Sequence, residues 1–111
     1  MTNKTRKDLP SGYKILADII PTGQENAIKL DNIMKMAGIK DKRTAYEIIE
    51  RLIIRYGYTI LANRTGDNLG YFIPKDEQEL NECIKPFLQS VNSMQKRYTA
   101  LIHNFYNKEN N

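Results

Sequence analysis

Cysteine and histidine occur once each, as Cys83 and His103, and that scarcity removes several chemistries at the outset. A single cysteine cannot build an intramolecular disulfide framework or a cysteine-based zinc site. The spacing argues against a Cys–His nucleophile pair, because both residues fall in one expected helix, 20 positions and about 30 Å apart if that helix is straight. No apolar run approaches the length needed to span a bilayer, and the opening MTNKTRKDLPSG is too polar for a secretory signal, so a cytoplasmic protein with no membrane partner is expected. Metal-ligand spacings, a phosphate-cradling glycine loop and nucleophile–base pairs are missing as well. Neither an enzyme nor a cofactor is therefore expected.

What is present suits a globular protein. The chain has 111 residues, 41% of them hydrophobic, enough for one domain with a single modest core. The formal charge of +4 is mild but unevenly spread. Residues 35–64 hold Lys35, Lys40, Lys42, Arg43, Arg51, Arg55 and Arg64 against Asp41, Glu47 and Glu50, a balance of +4. Residues 76–111 hold Lys85, Lys96, Arg97 and Lys108 against Asp76, Glu77, Glu79, Glu82 and Glu109, a balance of −1. A polyanion would be gripped in the central stretch.

Residues 1–10 carry Lys4, Arg6 and Lys7 with few apolar groups, a loose basic arm that is either a solvated tail or a tether to phosphate. YKILADII reads as a short helix with Tyr13, Leu16, Ala17 and Ile20 on one face, stopped by Pro21. TGQENAIKL holds a turn and a brief strand around residues 27–29. Leu30, Ile33, Met34 and Ala37 follow at the spacing of an amphipathic helix, and Gly38 supplies a left-handed stop. Asp41 can accept the free amides of a new helix, whose buried face is expected to be Ala45, Ile48, Ile49, Leu52, Ile53 and Tyr56. Lys42, Arg43, Tyr46, Glu47, Glu50 and Arg51 then point away from the core. Gly57 closes that helix, and YTILANR and LGYFIP form a hairpin around Thr65, Gly66, Asp67 and Asn68. With the strand near Ile28 they predict a three-stranded antiparallel sheet in an α+β fold.

Helix, glycine turn and helix form the helix-turn-helix arrangement, in which the N-terminal part of the second helix reaches base edges. Lys40, Lys42, Arg43, Tyr46, Glu47 and Arg51, with Arg64 and Asn68 at the hairpin tip, are the candidate DNA-binding residues. The competing reading is a solvated face on which Glu47 and Glu50 pair with cations one turn away. The element order resembles the winged helix-turn-helix superfamily. PTGQENAIKL, the helix over residues 41–57 and GYFIP are similar to small phage and prophage winged-helix proteins of low-GC Gram-positive bacteria, a likeness covering residues 13–106. The resemblance implies double-stranded DNA binding by the second helix and the hairpin wing, in transcriptional control or phage replication. It supplies no catalytic residue.

Beyond Pro74, Asp76 and Glu79 stand at the spacing of a capping box. Leu80, Ile84, Phe87, Val91, Met94, Tyr98, Leu101 and Phe105 then alternate steps of four and three, a heptad seam of about three and a half repeats. Pro86 either kinks this helix or starts a new one. The expected organisation is a winged-helix domain over residues 11–75, a helical dimerisation extension over 76–107 and a tail over 108–111. Phe87, Val91, Met94, Tyr98, Leu101 and Phe105 would form the dimer contact, setting two reading helices on successive major-groove faces of a pseudo-palindromic site. The alternative is a protein-docking module that holds a host or phage protein by the same seam. Tyr13, Tyr56, Tyr58, Tyr71, Tyr98 and Tyr106 are expected to be partly buried rings with hydroxyls near water.

Overall fold

A computed structural model describes residues 9–108. The basic arm with Lys4, Arg6 and Lys7 lies outside the described residues, as does the end of the tail. Among the described residues the fold is α+β, with four α-helices and a two-stranded antiparallel sheet: α1 (Ser11–Ile19), a 3-10 turn (Gln24–Asn26), α2 (Leu30–Ala37), α3 (Lys42–Ile54), β1 (Leu61–Asn63), β2 (Gly70–Phe72) and the long α4 (Glu77–Tyr106). The chain divides into two compact units, one ending at Leu80 and one starting at Asn81.

In the first unit, α1, α2 and α3 pack on one another. Leu16, Ala17 and Ile20 from the first helix and its end, Ile33 from α2, and Ile48, Ile49 and Leu52 from α3 form one buried cluster with Ile60. These positions recur at three and four residues, so each helix offers the core one stripe. Helix α1 stops because Ile20 is extended, at φ −70° and ψ 120°, as a residue before proline prefers. Helix α2 stops at Gly38, whose φ of 72° lets the Ile39 amide donate back to the Met34 carbonyl at 2.9 Å.

The sheet is smaller than the three strands expected. Strands β1 and β2 pair Leu61 with Phe72, Ala62 with Tyr71 and Asn63 with Gly70. The stretch near Ile28 contributes only an isolated antiparallel bridge to Tyr71, with hydrogen bonds of 3.0 and 2.8 Å. Enclosed between the 3-10 turn and the start of α2, it has no length left to extend a ladder. The hairpin arms are short for a related reason. The Tyr58 amide donates to the Leu52 carbonyl at 2.9 Å, closing the end of α3 rather than joining a strand. That helix ends at Ile54 rather than Gly57, which instead supplies the left-handed turn at φ 78°.

Two side-chain expectations also change. Ile53 is 38% exposed, because it sits a turn from Glu50 and Ile49 on the flank of α3 while Leu52 takes the core position. Tyr98 and Tyr106 are exposed, whereas Tyr13, Tyr56, Tyr58 and Tyr71 are half-buried.

Helix α4 runs unbroken through Pro86. Its start is tied into the first unit: the Glu79 amide donates to Asp76 at 2.9 Å, and the Glu79 carboxylate accepts from the amides of Lys75 at 2.9 Å and Gln24 at 3.2 Å. This is the expected capping box, except that Glu79 reaches back to Lys75 and also across to Gln24. No helix among the described residues is long and apolar enough to cross a membrane.

Gly70 sits where β2 meets the Ile28 bridge, and a Cβ there would collide with the Ile28 carbonyl while φ is 128°. Gly66 in the hairpin turn is also left-handed, at φ 84°, but faces open space. Gly66→Ala is expected to cost about 1 kcal/mol from backbone strain alone, and Gly70→Ala about 3 kcal/mol or more. Urea denaturation measures both, and equal costs would contradict the close approach at Gly70.

Candidate nucleic-acid interface

The candidate site is built on the face of α3 opposite the core. Because Ala45, Ile48, Ile49 and Leu52 turn inward, residues 42, 43, 46, 47, 50 and 51 must turn outward. Lys40, Lys42, Arg43, Tyr46, Glu47 and Arg51 are all exposed, as are Arg64 and Asn68 on the hairpin. Arg43, Tyr46, Glu47, Glu50 and Arg51 line one shallow depression of about 520 Å³ along the helix.

The start of α3 is fixed by Asp41. Its carboxylate accepts from the Thr44 amide at 3.2 Å and the Thr44 hydroxyl at 2.9 Å. These bonds to Thr44 hold the Asp41 carboxyl below the ordinary aspartate value of 3.8, the hydroxyl contributing most. The cap sets the direction in which Lys42 and Arg43 leave the backbone. Arg43 meets Glu47 one turn on at 3.7 Å, a loose exposed pair that stabilises the helix by about 0.3 kcal/mol. A contact so weak leaves the Arg43 guanidinium available to another anion.

Arg51 is held differently. Its Nη1 donates to the Tyr13 hydroxyl at 2.8 Å, a bond from α3 to α1 across 38 positions of sequence. That bond raises the guanidinium's pKa further above its ordinary value. Tyr13 in turn meets the Tyr56 ring edge to face, with centroids 5.9 Å apart. The arginine is thereby aimed by two rings that also cover the core edge. Neither tyrosine is marked by its sequence position as part of the site, because the contact joins residues far apart in the chain.

The hairpin reaches the same neighbourhood through Tyr71. Burial raises the Tyr71 hydroxyl above its ordinary value, the Tyr46 phenol adds to the rise, and Arg64 opposes it. Tyr46 of α3 and Arg64 of the hairpin are thus both close enough to act on one ring of β2. Asn63 closes the hairpin by donating its side-chain amide to the Asn68 carbonyl at 2.6 Å, which leaves the Asn68 side chain outward. The exposed face of α3 is basic and aromatic, with Glu47 and Glu50 as its acidic members, and Arg64 adds a further exposed cation on the hairpin.

The six expected dimer residues are also exposed: Phe87, Val91, Met94, Tyr98, Leu101 and Phe105 show between 46% and 67% of their surface. Leu88 and Ile102 flank them and are exposed too, a widening of the stripe beyond the a and d positions alone. Phe105 meets Tyr106 edge to face at 5.2 Å, and the Lys108 ammonium lies 5.0 Å from its ring centre. Among the described residues, no group of three His, Cys, Asp or Glu side chains could hold a metal ion.

The lowered Asp41 carboxyl has a defined pH signature. Its capping contribution is complete above the unfolded value near 3.8 and is lost as pH falls through the lower folded value. Asp41→Asn keeps an acceptor for Thr44 but does not titrate. The native chain should lose stability relative to Asp41→Asn on acidification below about pH 4, as measured by thermal melts. A stability difference that stays constant with pH would rule out the charged cap.

Comparison with models of known protein families, with curated proteins and with solved structures finds no match to this chain.

Proposed function

We propose that this protein binds double-stranded DNA as a winged helix-turn-helix homodimer of phage type, acting as a transcriptional regulator or replication accessory. The observation that supports this reading is the outward face of α3, where Lys42, Arg43, Tyr46 and Arg51 are exposed as the residues of a recognition helix would be. Arg64 and Asn68, exposed on the hairpin, suit a wing. Lys42 and Arg43 lie in the first turn, the part of such a helix that meets base edges in the major groove. Lys40 and Arg64 flank it, suited to phosphate or the minor groove. The +4 balance of residues 35–64 supports a polyanion over a neutral partner.

The exposed seam of α4 supports a protein partner as well. A second copy of the chain accounts for it without adding a new component, and a dimer matches the two-fold symmetry of operator sites. A host or phage protein docked on the seam is the other reading, and the oligomeric state of the protein alone separates the two.

Fluorescence anisotropy with a random-sequence duplex at several salt concentrations tests the proposal. Binding should weaken steeply with salt, and the combined variant Arg43→Ala, Arg51→Ala, Arg64→Ala should make the log–log slope shallower by about one for each phosphate that the substituted arginines no longer neutralise. Arg43→Ala alone should cost about 1–3 kcal/mol on a cognate site if it pairs with a base. Unchanged affinity in the combined variant would sink the DNA-binding reading.

A further inference from the structure

We infer that α4 pairs with α4 of a second copy in antiparallel orientation, centred on Lys96, an arrangement that rests on the homodimer reading above and deepens it.

The seam residues match best when the two helices run in opposite directions. In an antiparallel pair, a positions meet d positions of the partner, and a two-fold axis makes paired residue numbers sum to a constant. With the centre at residue 96, Phe87 meets Phe105 of the second copy, Val91 meets Leu101 and Met94 meets Tyr98. In the two layers nearest the centre a smaller side chain then meets a larger one, while the outer layer joins two phenylalanines. A parallel in-register pair would stack Tyr98 on Tyr98 while leaving Val91 on Val91, a contrast of crowded and thin layers that close packing penalises.

The flanks of the seam favour the same direction. Reversing one helix brings e positions against e positions and g positions against g positions. Flank pairs fall two residues off the core sum, so on the e side Leu88 faces Ile102 of the second copy and Gln95 faces its own equivalent. Leu88 and Ile102 are 55% and 46% exposed in the single chain. On the other flank Ser90 faces Asn104, so the apolar edge and the polar edge sort to opposite sides. In a parallel pair the flanks would join e to g instead, setting Ile102 against Arg97. Arg97 is the least favourable residue in the antiparallel pair, since it approaches its own equivalent near the centre.

Charge is distributed along the helix in a way that also suits reversal. Residues 76–90 hold four carboxylates and Lys85, a balance of −3, while residues 91–111 hold three cations and Glu109, a balance of +2. Parallel pairing would set these like-charged stretches side by side, whereas the reversed pair leaves Asp76, Glu77 and Glu79 opposite no residue of the second copy and brings Lys108 beside Glu82 and Lys85. The area also suffices: nine large apolar side chains from Phe87 onward, with roughly 100 Å² exposed on each, offer about 900 Å² per chain, near the ~800 Å² per partner of a standard stable interface.

Orientation is measurable by pulsed dipolar spectroscopy on spin-labelled full-length protein carrying Cys83→Ser, with one label site at Asn81→Cys and, separately, one at Gln95→Cys. Antiparallel pairing centred on residue 96 separates the two copies of position 81 by 30 residues along the helices, about 45 Å, and holds the two copies of position 95 within about 20 Å. The expected result is one long and one short distance. Two short distances would overturn the orientation and leave the dimer reading standing. A long distance at position 95, or a monomer in sedimentation, would overturn the pairing, and a monomer would also remove the dimer reading. DNA affinity, measured separately, is unaffected by either outcome for orientation.

Discussion

The first unit depends on the two-sidedness of α3. Ala45, Ile48, Ile49 and Leu52 must leave water, and with Leu16, Ile33 and Ile60 against them they fix the rotation of the helix about its axis. Once that rotation is fixed, the direction in which Lys42, Arg43, Tyr46 and Arg51 leave the backbone follows from helical geometry. A core this small, with ten buried apolar residues among the described residues, is sensitive to the loss of any one of them. The outward chemistry is thus a consequence of the inward packing.

Much of this is legible in the chain because periodicity is a local signal. The stripes of α1, α2 and α3, the glycine stop at Gly38, the aspartate cap at Asp41 and the box of Asp76 and Glu79 all lie within a few residues of what they act on. The sheet is harder to read for the opposite reason. Three residues around Ile28 have too little length to distinguish a strand from a bridge, and the fate of the Tyr58 amide depends on a carbonyl six residues back. Ile53 and Ile49 have the same residue type, so the boundary of a buried face falls where neighbours end, which the sequence does not state. The outward residues of the candidate surface are legible, but the partners that orient them are not. Tyr13 reaches Arg51 over 38 positions and Glu79 reaches Gln24 over 55.

The two units use apolar residues in contrasting ways. Before Leu80 most large apolar side chains turn inward, and the exposed exceptions, such as Met36 and the neighbours Ile53 and Ile54, are scattered. From Phe87 onward they form a continuous exposed stripe on a helix with no buried residue of its own. A 30-residue helix with such a stripe needs a covering surface to remain soluble as well as to remain helical. The self-pairing proposed above would meet both needs at once, and it would tie the stability of α4 to protein concentration.

The hydrogen bond between Tyr13 and Arg51 has an entropic meaning. An arginine side chain ordinarily samples many rotamers and loses them on meeting an anion, which weakens the association. Here the phenol of α1 has already narrowed that choice during folding. Arg43, held only by a loose contact to Glu47, keeps its freedom. Two arginines on one helix face therefore meet any anion on different terms, one ordered beforehand and one ordered on contact.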